Sequence, residues 1–240
     1  MVAVKVIRSV WDRSYLERLN TRLLREARVW SQLKHPNITP FYGITFDLGV
    51  PSAPCLVSPY YANGSLFTYL KNYPDCDKMA LIRQIAAGLS YLHQHDVVHG
   101  DIKTSNILVN DQHEASISDF GLSRILEYSG FTTKAVGGTC RWMAAELIDP
   151  EEDDGEPALT TATDVWAFGM TVLEILSGKL PFYWIKYDTA VILLVMRDGR
   201  PARERYPTIS NAVWGILESC WRRDPEQRPG MRAISQSFGN

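Results

Sequence analysis

From Asp164 to Ser177 the chain is apolar nearly all round: Val165, Trp166, Phe168, Met170, Val172, Leu173, Ile175 and Leu176 leave almost no polar face. A helix of that kind does not sit on a surface; it belongs at the centre of a lobe, with other helices packed about it. Gly178 stops it and Pro181 lies just beyond, the punctuation expected of a helix C-terminus, while Asp164 reads as its N-cap. Segments near 79–95, 189–197 and 211–222 supply the neighbours, the first with Ile82, Ile85, Leu89 and Leu92 on one face. The 240 residues, 45% hydrophobic with a net charge of -2, suffice for one large domain or two lobes with real cores.

The N-terminal quarter follows another pattern. Residues 2–8 alternate as a strand, with Val2, Val4 and Val6 on one side and Ala3 and Lys5 on the other. A helix from Ser14 to Lys34 carries Leu16, Leu19, Leu23, Glu26, Trp30 and Leu33 at steps of three and four. Glu26 interrupts that apolar stripe, where an unpaired carboxylate is costly, and Lys5 on a neighbouring strand needs a partner too. The plainer alternative is that Glu26 turns to solvent. Phe41 to Phe46 and Cys55 to Ser58 read as two further strands, followed by a turn-like segment from Pro59 to Gly64. Beyond it, Ile107–Val109 and Ala115–Ser118 form a hairpin that brings Asp101, Asn106 and Asp119 to one end of a small sheet. Carboxylate and carboxamide oxygens suit magnesium, and a further carboxylate can meet a hydroxyl proton; together these are the needs of phosphoryl transfer.

Val2-Ala3-Val4-Lys5, His99-Gly100-Asp101 with Asn106, Asp119-Phe120-Gly121, Ala144-Ala145-Glu146, Asp164-Val165-Trp166 and Cys220-Trp221 through Arg228-Pro229 occur in that order. With their spacings, they resemble the signatures of the eukaryotic protein kinase family. The resemblance implies an α+β, bilobal protein-kinase-like fold, with a truncated small β-rich N-lobe over 1–59, a hinge over 60–64 and a mostly helical C-lobe over 65–240. It implies ATP and Mg2+ as cofactors and a protein substrate. Asp101 would meet the acceptor hydroxyl proton, Asn106 and Asp119 would ligate magnesium, and Lys103 would steady the γ-phosphate. Lys5, held by Glu26, would position the α- and β-phosphates. Ala3, Ser58 as a small gatekeeper, Pro59, Tyr61 and Leu108 would complete the nucleotide site, Tyr61 offering its backbone N–H and C=O to adenine.

Lys103-Thr104-Ser105, where tyrosine kinases carry Ala-Ala-Arg, and Thr139 after Gly137-Gly138 favour Ser/Thr as acceptor. Arg141-Trp142-Met143, with the two tryptophan motifs, is most similar to the tyrosine-kinase-like group of Ser/Thr kinases. In the same resemblance His99, Phe120, Trp30 and Phe41 form an apolar spine, Glu146 and Arg228 a buried structural ion pair, and Asp164 bonds the backbone of the Asp101 loop as well as capping its helix.

Three features depart from the family. Gly100 stands where an arginine usually docks a phosphorylated activation loop, so Ser129, Thr132 and Thr133 lack that partner unless Arg124 replaces it. Ala145 replaces a proline. The lysine strand begins at residue 2 with no Gly-rich loop before it, and no Gly-x-Gly-x-x-Gly follows later, which leaves that strand an unpaired edge. The expected function is a Ser/Thr protein kinase domain, truncated at its N-terminus, acting in signalling; a pseudokinase scaffold stays open, and a small-molecule kinase fits less well. The charge balance gives no sign of nucleic acid, and the aliphatic run from Val191 to Met196 is too short to span a bilayer. No signal peptide is visible, and the scattered Cys55, Cys76, Cys140 and Cys220 read as free thiols of a cytoplasmic or nuclear protein. Asp149 to Glu156 reads as a solvated acidic loop.

Overall fold

A computed structural model describes residues 1–7, 13–46, 54–120, 139–148 and 159–239, with the side chains of 13–18 left out. Strands β1 (Val2–Val6), β2 (Gly43–Thr45) and β3 (Cys55–Pro59) form an antiparallel sheet in the order β1-β3-β2. Helix α1 (Arg13–Trp30) runs between β1 and β2 in sequence and buries Leu19, Leu23 and Trp30. It ends earlier than its periodicity predicts. Gln32 N–H bonds Val29 O and Leu33 N–H bonds Trp30 O, so the last turn tightens while Leu33 still reaches the core. Alternation in β1 is as expected, yet Val2 and Val4 are 52% and 39% exposed, so their face looks outward. β1 pairs only with β3 among the described residues, and its other edge is unpaired there.

After β3 the chain turns at Tyr61–Gly64, where Gly64 takes φ 68 and donates its N–H to Tyr61 O at 3.1 Å. The helical part follows: α2 (Leu66–Asn72), α3 (Lys78–Gln94), the hairpin β4 (Ile107–Val109) and β5 (Ala115–Ile117), then α4 (Ala145–Ile148), α5 (Thr161–Ser177), α6 (Asp188–Met196), α7 (Asn211–Cys220) and α8 (Met231–Gly239). The hairpin is tied to the turn, since Val109 N–H bonds Gly64 O at 3.0 Å and the Asn63 side-chain amide bonds Asn110 O at 2.7 Å.

α5 is the central helix that its sequence requires, buried at every residue from Thr163 to Ile175. Gly178, at φ 66, ends it. Its start differs from expectation: Thr160 is the N-cap, with a capping box to Thr163, so the helix begins at Thr161. Asp164 is thereby inside the first turn, free of capping. Among the described residues no helix is long and apolar enough to cross a membrane.

Candidate active site

Asp164 is 1% exposed, and its carboxylate reaches across to the loop before β4. Oδ2 accepts the His99 N–H and Oδ1 the Gly100 N–H, each at 2.8 Å, and His93 Nε2 lies 2.9 Å from Oδ2. Two consecutive amides are thus pinned to the central helix. Gly100 has φ 82, a left-handed backbone that suits glycine better than the usual arginine. The adjoining His99 ring is wholly buried. Asp101 N–H donates to its Nδ1 at 3.1 Å, so Nε2 carries the proton and donates to Ser118 O at 2.9 Å. Burial pushes this imidazole below its ordinary pKa. The ring acts as a strut between the Asp101 loop and the strand leading to Asp119.

Asn106, in the turn Thr104–Asn106, donates its side-chain N–H groups to Asp101 O at 2.8 Å and Asp101 Oδ2 at 2.7 Å. Lys103 Nζ also lies 2.8 Å from Asp101 Oδ2 and donates to Thr139 Oγ1 at 2.8 Å. Asp101 Oδ1 is buried and accepts nothing among the described residues. An orphan carboxylate oxygen in such a place is poised for an incoming donor.

Asp119 has φ 62 and meets Lys5 Nζ at 2.8 Å. This corrects the expected Lys5–Glu26 pair: Glu26 is half-buried and has no ion pair among the described residues. Lys5 is 53% exposed, so its ammonium takes the adjacent carboxylate, and Glu26 keeps enough water to stay unpaired. Lys5 and Asp119 open onto a cleft lined also by Ser58, Leu56, Phe41 and Phe120. Trp30 meets Phe41 and Phe120 edge-on, with centroids 5.5 and 6.0 Å away. Ala3 lies opposite Ser58 in the β1–β3 register, Pro59 closes β3, and half-buried Leu108 faces Ser116 in the hairpin. The Tyr61 carbonyl already accepts the Gly64 N–H. Gly121, Arg124, Ser129, Thr132, Thr133, Gly137, Gly138, the Leu16 side chain and the acidic stretch 149–156 lie outside the described residues.

The sequence profile of the family described as protein tyrosine and serine/threonine kinase matches residues 1–238. The chain belongs to that family. Its small sheet and larger helical part are the two parts of a kinase domain. The domain is similar to serine/threonine-protein kinase STY17 of Arabidopsis thaliana, 29% identical over 97% of this chain and 39% of that protein. It is similar to mitogen-activated protein kinase kinase kinase 3 of the same plant, 30% identical over 95% of this chain and 36% of that protein. It also matches ephrin type-B receptor 2 of Gallus gallus, 33% identical over 95% of this chain and 22% of that protein. The chain therefore spans about two-fifths or less of the length of these relatives.

Within the kinase domain, Arg228 grips Glu146 bidentately, at 2.5 and 2.9 Å, with its own guanidinium fully buried. Two polar residues escaped the sequence reading. His93 follows Leu89 by one helical turn and so continues the buried stripe of α3. Glu174 is a carboxylate inside a helix with almost no polar face. In both, a polar residue on a buried stripe was the readable sign.

Proposed function

We propose that this domain transfers the γ-phosphate of ATP to a serine or threonine of a protein substrate, in a signalling role in the cytoplasm or nucleus. The observation that carries the reading is Asp101: its buried Oδ1 has no donor among the described residues, while Oδ2 is held by Lys103 and Asn106. A substrate hydroxyl would donate there as its oxygen attacks phosphorus. The residues fit magnesium. Asn106 spends its side-chain N–H groups on Asp101, which leaves its side-chain carbonyl oxygen as a hard donor. Asn106 and Asp119 would hold the ion, which when bound neutralises phosphate charge. Lys5 would exchange Asp119 for phosphate oxygens, and Ala3, Ser58, Pro59, Tyr61 and Leu108 would bound the adenine side. Lys103, joined to Thr139, supports the Ser/Thr acceptor, as does the likeness to a protein named a serine/threonine kinase.

The Lys5–Asp119 pair favours one second reading, a pseudokinase scaffold, because the lysine is without its glutamate clamp. Magnesium-ATP should raise the melting temperature and label a generic Ser/Thr substrate, and Asp101→Ala should abolish labelling with binding retained. Binding without transfer by the natural sequence would support the scaffold instead.

A further inference from the structure

α5 touches the Asp101 loop three times along one face. Asp164 holds the amides of His99 and Gly100, Thr171 Oγ1 lies 3.2 Å from Ile102 O while sharing its one proton with Ala167 O at 2.8 Å, and Glu174 Oε1 accepts from Thr104 Oγ1 at 2.7 Å. The first of these continues to His93 on α3, and the last continues to the segment after Thr139. Glu174 Oε2 accepts the Trp142 Nε1–H at 3.2 Å, and Trp142 belongs to the turn Cys140–Trp142 that follows Thr139. Glu174, Thr104 and Trp142 are 5%, 1% and 6% exposed, so water is a poor substitute for any of them. Lys103 to Thr139 is a second, more exposed bridge between the same two segments.

We infer that Glu174 is a positioning residue for phosphoryl transfer, a buried carboxylate that clasps the Asp101 loop to the turn presenting the protein acceptor. It touches neither nucleotide nor reacting atoms. Thr104 lies between Lys103 and Asn106, so holding its hydroxyl fixes the side chains that hold Asp101 Oδ2. Trp142 fixes the height of the facing turn. The role needs a group that accepts twice: each carboxylate oxygen takes one donor, whereas a glutamine must turn its NH2 toward one of them. Burial raises the Glu174 pKa, opposed by Thr104, Trp142 and the nearby Lys103 charge.

The inference rests on the kinase reading for its functional consequence, and its test has an arm that does not. Glu174→Gln, Thr104→Val and Trp142→Phe are made in the full chain. Amide exchange by mass spectrometry follows segments 101–106 and 139–143, and acceptor-peptide kinetics follow transfer. Glu174→Gln is expected to speed exchange in both segments and raise KM for the peptide about tenfold, with KM for ATP nearly unchanged. Trp142→Phe added to Glu174→Gln should cost less than the two effects combined, because they share one bond. Faster exchange in one segment only, or a lower melting temperature with both segments exchanging as in the natural sequence, overturns the clasp. If the natural sequence transfers no phosphate, the kinase reading fails while the exchange arm still decides the clasp.

Discussion

Asp164→Ala removes three acceptor contacts at once. The His99 and Gly100 amides, each 2.8 Å from the carboxylate, are left without an acceptor, and His93 Nε2 loses its partner at 2.9 Å. An unsatisfied buried donor costs about 1–3 kcal/mol, so the two amides and the imidazole together should cost roughly 3–9 kcal/mol. That is a large share of the roughly 5–15 kcal/mol by which domains are stable, and it corresponds to a melting temperature lower by roughly 6–36 °C. Asp164→Asn keeps one acceptor oxygen and sets an NH2 against the other donor, so its loss should be about half as large. Urea unfolding of both variants, with phosphotransfer measured beside it, gives the comparison. Should Asp164→Ala lie within about 1 kcal/mol of the natural sequence, or Asp164→Asn equal it, the amides are not held as described.

His99 predicts acid sensitivity. Burial holds its folded pKa below 6.5, so the unfolded chain takes up the proton first; its contribution is complete above that value and is lost as pH falls below it. Unfolding curves from pH 7.5 to 5 should show this loss, with a shallower slope in His99→Phe. Lys5→Met should shift the melting temperature little, because the pair with Asp119 is half-exposed and worth about 0–1 kcal/mol, yet it should abolish the stabilisation by magnesium-ATP. Gly169→Ala would place a Cβ 2.6 Å from Trp221 Nε1 and 2.9 Å from Cys220 Cβ; overpacking of about 1–3 kcal/mol should appear as a lower urea midpoint. Glu146→Ala strands the buried Arg228 guanidinium and should cost about 3–5 kcal/mol, read the same way.

What the sequence disclosed was set by how locally each feature is determined. The course of α5 follows from its own composition, but its first turn did not, since Asp164 read as the cap while Thr160 caps the helix and leaves the Asp164 carboxylate to a distant loop. The strand β1 displayed its two faces by alternation, while the side left bare depends on what packs over it. Asp101, Asn106 and Lys103 lie within a few residues of one another, and their mutual bonds were foreseeable from that loop. The partner of Lys5 was misassigned because the choice between Glu26 and Asp119 is made by how distant segments pack, which no residue pattern reveals.

The bonds that hold the Asp101 loop join residues far apart in the chain: His99 to Asp164 spans 65 positions and Thr104 to Glu174 spans 70. Asn106 to Asp101 spans only 5. Synthesis at about 5–20 residues per second therefore delivers Asp164 roughly 3–13 s after His99. Through that interval the His99 and Gly100 amides have water in place of the Asp164 carboxylate. A polypeptide ending before α5 would contain Asp101 and Asn106 but lack the Asp164 and Glu174 carboxylates that hold their loop.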